Sequence, residues 1–206
     1  MTRRELPMFP LGSVLFPHAS LSLHVFEPRY RVMTRRCLDG DREFGVVLIE
    51  RGSEVGGGDS RFDTGTIARI VQATELPDGR YALVAVGLAR FHVVRWLPDD
   101  PFPRAEIAAI DEPASTREDA LARDSALDAF DVVLALWHQL DARVPPNAPP
   151  ASDDPVRDLY ELAATSPLGP LDAQRVLEAA DATARSAVLQ QYLGELADDI
   201  RARLAE

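Results

Sequence analysis

Lysine is absent from the 206-residue chain, and all 22 of its basic residues are arginine. A phosphate-binding loop of the usual kind sets a lysine against the phosphates, and a Ser-Lys dyad uses one as its base, so neither chemistry is open to these residues. Together with abundant Ala, Asp and Pro, the absence reads as the coding bias of a GC-rich genome. Cysteine is almost as scarce. Cys37 stands alone, which excludes an intramolecular disulfide and a Cys-rich zinc site. Its arginine neighbours, Arg35 and Arg36, would lower the pKa of an accessible thiol, but a half-buried small apolar residue is the simpler reading. No apolar run approaches the roughly 20 residues that cross a bilayer. The opening Met-Thr-Arg-Arg-Glu-Leu-Pro has no apolar stretch behind its arginines, so no secretory signal is expected and the cytoplasm is the expected compartment.

Catalytic signatures are missing too. His18, His24, His92 and His138 never pair at the spacing of metal ligands, and a structural role is expected for His24 and His92 on their strands. No Gly-x-Ser-x-Gly elbow occurs among the ten serines. No catalytic residue, metal site or cofactor is therefore expected, and the chain is not expected to be an enzyme.

Charge is divided unevenly. Residues 1–110 hold 14 acids and 14 arginines, and residues 111–206 hold 19 acids and 8 arginines, so the second part carries the whole formal charge of −11. Such a chain is repelled by phosphate backbones unless arginines gather on one face, which disfavours nucleic acid as a partner.

The first part reads as strands and turns. Leu21–Val25 alternates apolar and polar residues, the mark of a half-buried strand. Phe44–Ile49 is a short apolar run suited to a buried strand, and Gly65–Val71, Tyr81–Val86, Phe91–Trp96 and Ala105–Ile110 continue a series of six or seven. Leu76-Pro-Asp-Gly-Arg80 has hairpin chemistry. One helix interrupts, opening at Pro28, sharing a face among Tyr30, Met33 and Cys37, and closed by Gly40. Gly56-Gly57-Gly58 reads as a hairpin tip, with a ligand-covering flap as the alternative.

After Asp111-Glu-Pro-Ala the character changes to Ala, Leu and Asp. Ser115-Thr-Arg-Glu118 has capping-box spacing ahead of Leu127, Phe130, Leu134 and Trp137 at helical intervals. The prolines of Val144–Pro150 must break that helix. Ser152 caps a second helix through Tyr160 and Leu162, Gly169-Pro170 opens a third, and Leu189, Tyr192, Leu193, Leu196, Ile200 and Leu204 make one stripe on a fourth. The expected organisation is α+β, with a β-rich part over residues 1–113 and a helical part over residues 114–206.

The segments Leu6-Pro-Met-Phe-Pro-Leu-Gly12, Val14-Leu-Phe-Pro17 and Leu21-Ser-Leu-His-Val-Phe-Glu-Pro-Arg-Tyr30 resemble the opening of Lon protease amino-terminal domains. The likeness continues through Phe44-Gly-Val-Val-Leu-Ile49, Leu76-Pro-Asp-Gly-Arg80 and Gly87-Leu-Ala-Arg-Phe91, and more loosely through the helical part. It implies a PUA-like six-stranded pseudobarrel with one helix, followed by a helical bundle. It also implies a polypeptide-recognition module for unfolded or exposed segments, working with a protease or chaperone system. Full Lon proteases continue into ATPase and protease modules, and this chain ends at Glu206, so neither unfolding nor proteolysis is expected of it. A nucleic-acid-binding PUA-like protein, with Arg29, Arg35, Arg36, Arg69 and Arg90 converging on one face, and a small-molecule enzyme are the alternatives.

The residues expected to bind are Phe16, Phe26, Glu27, Arg29, Tyr30 and Arg90. Glu27 precedes Pro28 at a helix start, where a carboxylate accepts amide hydrogen bonds, with Arg29 or Arg90 as its ion-pair partner. That cluster reads as mainly structural. The aromatics are core residues unless some stay exposed, in which case they form the apolar surface that unfolded chains would contact.

Overall fold

The computed structural model describes residues 3–51, 60–140 and 148–205. The expectations for Gly56-Gly57-Gly58 and for Val144-Pro145-Pro146 lie outside the described residues. The chain divides into two compact units, Met1–Asp111 and Glu112–Glu206.

The first unit runs β1 (Arg3–Leu11), β2 (Ser20–Val25), α1 (Pro28–Asp39), β3 (Glu43–Arg51), β4 (Ser60–Glu75), β5 (Tyr81–Leu97) and β6 (Arg104–Ala109). Strand order is β2-β5-β4-β3-β1-β6, and β6 also pairs with β5. The sheet therefore closes on itself as a five-membered ring, with β2 hung outside it on β5. Only β1 and β3 are parallel.

Two strands expected at Tyr81–Val86 and Phe91–Trp96 are one continuous strand of 17 residues. Its first half pairs with β2 and its second with β6, while β4 pairs with it from Tyr81 to His92. The corner lies at Gly87, where the β4–β5 register shifts between Ile67 and Ala68. A Cβ on Gly87 would stand 2.2 Å from the Phe16 carbonyl oxygen, so glycine admits the segment 12–19 across the bend. The Gly87 N–H donates to the Ala19 carbonyl at 3.0 Å, and the Thr66 hydroxyl donates to the Leu15 carbonyl at 2.6 Å, holding that segment down.

β1 feeds two cores. Leu6 and Met8 join Phe91, Val93 and Ile107, whereas Phe9 and Leu11 join Tyr30, Met33, Phe44 and Phe102 beneath α1. At about 1.5–3 kcal/mol for each large apolar side chain buried, α1 is held by Tyr30 and Met33 rather than by its own propensity. Gly40 follows the helix, but the left-handed residue is Arg42 (φ 64°), whose N–H donates to the Cys37 carbonyl at 2.9 Å. The Pro-Asp-Gly turn forms with Gly79 at φ 78° and the Leu76 N–H donating to the Arg80 carbonyl at 2.8 Å.

The second unit holds α2 (Arg117–Gln139), α3 (Pro155–Thr165), α4 (Pro170–Glu178) and α5 (Ala182–Leu204). Ser115-Thr-Arg-Glu118 and Thr116-Arg-Glu-Asp119 both have capping-box spacing, and the structure uses the second. The Asp119 N–H donates to Thr116 Oγ1 at 3.2 Å, and the Thr116 N–H donates to the Asp119 carboxylate at 2.9 Å. Likewise Asp154, not Ser152, caps α3, because Pro155 takes the first helical position. Thr183 donates to Asp119 at 3.1 Å and Ser186 to the Ala122 carbonyl at 2.5 Å, so α2 and α5 start at the same end and run in parallel. Ala126, Phe130 and Val133 of α2 and Leu189, Leu193, Ala197 and Ile200 of α5 are buried.

Two polar centres stiffen this unit. Arg185, wholly buried, lies over the Tyr160 ring at 3.8 Å and donates to its hydroxyl at 2.6 Å, while that hydroxyl donates to Glu112. Buried Asp158 accepts from the Ser152 hydroxyl at 2.6 Å, the Ser152 N–H at 2.8 Å and Arg123 at 2.9 Å. Burial alone would push the Asp158 carboxyl up, but the Ser152 and Arg123 donors together outweigh it and hold it below the ordinary value.

A folded-state pKa below the unfolded one gives stability that is full above the unfolded carboxylate range, near pH 4, and is lost as pH falls through the folded value. Asp158→Asn is expected to cost about 2 kcal/mol at pH 7 and to remove part of the acid sensitivity of the second unit, as read in urea titrations at pH 7 and pH 3. In the same titrations, Gly87→Ala is expected to cost at least about 2 kcal/mol through its backbone collision. Gly194→Ala, inside α5 where a new Cβ meets nothing within 4 Å, is expected to stabilise by about 0.5–1 kcal/mol.

Candidate functional site

The one region of the first unit where the expected binding residues gather is a groove beside β2. Ser22, Leu23, His24, Val25, Phe26 and Glu27 form one wall, and Phe9, Leu11 and Tyr30 form the apolar floor of a depression of about 190 Å³. Local rules set each side chain. Along β2 the odd positions Leu21, Leu23 and Val25 turn inward against the core, and the even positions Ser20, Ser22 and His24 are exposed. Phe26 follows with the even, outward parity and is 53% exposed, although it is a large apolar side chain. Tyr30, in the first turn of α1, is buried and stacks on Phe9 with ring centroids 4.2 Å apart and planes 10° apart.

Glu27 is the N-cap residue of α1, but its carboxylate makes no capping hydrogen bond. It accepts from Arg29 Nε at 3.0 Å instead, and the Arg29 guanidinium lies 4.5 Å from the Tyr30 ring centroid. The pair is half-buried, with both side chains 17% exposed. It neutralises itself at the groove mouth, so the site presents aromatic and apolar surface with little net charge. Of the six residues expected to bind, Phe26, Glu27 and Tyr30 line the groove and Arg29 covers Tyr30. Phe16 and Arg90 are buried and do not line it. Phe9, Leu11, Ser22, Leu23, His24 and Val25 are groove residues absent from the expected set. The parity of β2 points to Ser22 and His24 and continues to Phe26, whereas Phe9 and Leu11 come from β1, whose approach to β2 no local pattern shows.

Other chemistry finds little support. All four histidines are exposed. Among the described residues, no three His, Cys, Asp or Glu side chains converge as metal ligands would. The arginines whose convergence nucleic-acid binding requires are engaged separately. Arg29 pairs with Glu27, Arg35 with Glu75 at 3.6 Å and Arg69 with Glu43 at 2.6 Å, Arg36 lies over Phe102 and Arg90 is buried.

Cys37 is fully buried rather than half-buried, with its thiol donating to the Glu43 carbonyl at 3.4 Å. Burial first, and then the Asp41 carboxylate, push the thiol up to about 12 against the smaller opposing effect of Arg36. A thiol-reactive chromogenic disulfide at pH 8 is therefore expected to leave the folded chain unmodified, and to react at one equivalent once denaturant exposes Cys37.

The profile of the family described as "ATP-dependent protease La (LON) substrate-binding domain" matches residues 5–195. The chain is 29% identical over 197 residues to Lon protease 2 of Myxococcus xanthus, and 28% identical over 193 residues to the Lon protease of Escherichia coli K12. These matches take 91% and 89% of this chain but 23% and 24% of those proteins, so the chain spans about a quarter of the relatives' length. In structure it is similar to a Lon N-terminal domain protein from Xanthomonas campestris, at TM-score 0.62 and 28% identity over 93% of this chain and 98% of that one. The N-terminal domain of the Mycobacterium avium complex Lon protease, at TM-score 0.63 and 18% identity over 93% and 99%, shares the fold. The six-stranded sheet with five helices is the α+β fold of those domains, and the chain belongs to the Lon substrate-binding domain family.

Proposed function

We propose that this chain recognises unfolded or exposed polypeptide segments, and that the groove beside β2 is where it touches them. The observation that carries the reading is Phe26. A large apolar side chain 53% exposed beside an apolar depression is what a recogniser of exposed hydrophobic segments needs, and the self-neutralised Glu27–Arg29 pair keeps the mouth tolerant of sequence. Membership of a substrate-binding family supports it. No catalysis is assigned to these residues, because the chain has no lysine for the ATPase or Ser-Lys chemistry set out above. A cytoplasmic location and partnership with a protease or chaperone system complete the reading. Among the described residues no helix is long and apolar enough to cross a membrane.

Titration with reduced, carboxymethylated lactalbumin, which stays unfolded, tests this. Binding is expected in the micromolar to sub-millimolar range. Phe26→Ala is expected to weaken it at least tenfold, about 1.4 kcal/mol, while leaving the unfolding midpoint within about 0.5 kcal/mol because the side chain is exposed. Absence of binding to several unfolded proteins up to about millimolar concentration, weaker than roughly −4 kcal/mol, would remove the reading.

A further inference from the structure

β2 is the one strand of the first unit outside the closed ring, and among the described residues it pairs with β5 alone. Its backbone polarity follows from the ladder. The Gly87 N–H donates to the Ala19 carbonyl, and stepping by two from that bond makes Leu21, Leu23 and Val25 the residues bonded to β5. The N–H and C=O groups of Ser20, Ser22 and His24 then point to the open side. That side borders the groove, whose lining takes every residue from Ser22 to Glu27, of both parities, as the edge of a strand would supply.

Free strand edges normally carry protection: an inward charge, a lysine, a proline, a bulge or a covering element. β2 has none of the in-strand devices. Ser-Leu-Ser-Leu-His-Val contains no proline and no Asp, Glu or Arg. Its six pairs with β5 run without a register shift, whereas the β3–β4, β4–β5 and β5–β6 ladders each have one or two. The edge is regular and carries no Asp, Glu or Arg, and the exposed Phe26 follows it directly.

We propose that β2 receives an extended polypeptide segment as an added strand. Ser20, Ser22 and His24 would exchange main-chain hydrogen bonds with it, and the Phe9–Leu11–Tyr30 floor would take one of its apolar side chains. Hydrogen-bond complementarity specifies the occupant. Outward N–H and C=O groups spaced every second residue match an extended backbone and not a helix, whose own groups are already bonded. The uncharged edge selects a segment with alternating apolar and small polar residues. This rests on the polypeptide-recognition reading and names how the segment is held.

The test uses the full chain and an unstructured eight-residue peptide alternating leucine and serine. A second version is N-methylated at alternate residues so that one edge of the peptide can no longer donate. The unmodified peptide is expected to bind, to slow amide hydrogen exchange at Ser22 and His24, and to lose at least tenfold in affinity on N-methylation. Ser22→Pro, which removes one outward donor while its N–H is not needed by β5, is expected to weaken binding similarly, with an unchanged circular dichroism spectrum as the check on folding. Equal binding of the two peptides, or no exchange protection on β2, overturns the added-strand mode. If unfolded lactalbumin still binds and Phe26→Ala still weakens it, only that mode falls. If lactalbumin fails as well, the recognition reading falls with it.

Discussion

The first unit depends on one strand belonging to two pairings. β5 gives its first half to β2 and its second half to β6, and the change of partner is possible because the strand bends at Gly87. The bend brings the β5 backbone against the segment 12–19 so closely that no side chain fits between them. The clamp from Thr66 to the Leu15 carbonyl holds the same contact from the β4 side. The ring then closes through β6, and β2 is left outside with one edge unused. The groove is a by-product of this closure. A sheet that closes on five strands has no place for a sixth, and the sixth keeps its hydrogen-bonding capacity for something else.

Charge and polarity are handled differently in the two units. In the first, Glu43 is nearly buried and shared between Arg4 and Arg69, joining three strands. In the second, Arg185 is buried under an aromatic ring and Asp158 beneath three donors. Each centre is costly to desolvate and is kept only because several donors or acceptors meet it. Such centres fix one arrangement of neighbouring segments more than they add net stability. None of them opens onto the groove, whose chemistry is apolar contact and main-chain hydrogen bonding.

Much of the fold was legible in the sequence where local rules act alone. The alternation of Leu21–Val25, the Pro-Asp-Gly turn, Pro28 at a helix start and the second-half helices all have short-range causes. Where two local solutions compete, the sequence leaves the choice open. Ser115 and Thr116 both have a suitable residue three positions on, and Pro155 outweighs Ser152 in setting where α3 begins. The fusion of two expected strands into β5 is of another kind. It requires knowing that Phe16 crosses at Gly87, a contact between residues 71 positions apart that no window contains. The site divides the same way. Phe16 and Phe26 look alike as sequence, both apolar and both beside proline or its neighbours, yet one is buried by the crossing segment and the other follows the outward parity of β2. Arg90 reads as a surface charge and is buried. The alternation of Leu21–Val25, carried one residue further, turns Phe26 outward and separates it from the other aromatics.

The closure through β6 also governs the order in which the first unit can form. β1 opens the chain, and its antiparallel partner lies near residue 105, with Arg104 reaching back to Glu5 across 99 positions. During synthesis β1 can find β3 early, but its second neighbour does not exist until almost the whole unit has been made. Pairings of such long separation are reached slowly, since loop entropy must be lost before any contact is gained. Until β6 arrives, β1 and the second half of β5 are open edges as well as β2. Once β6 is in place, β2 is the strand that keeps an unpaired edge among the described residues.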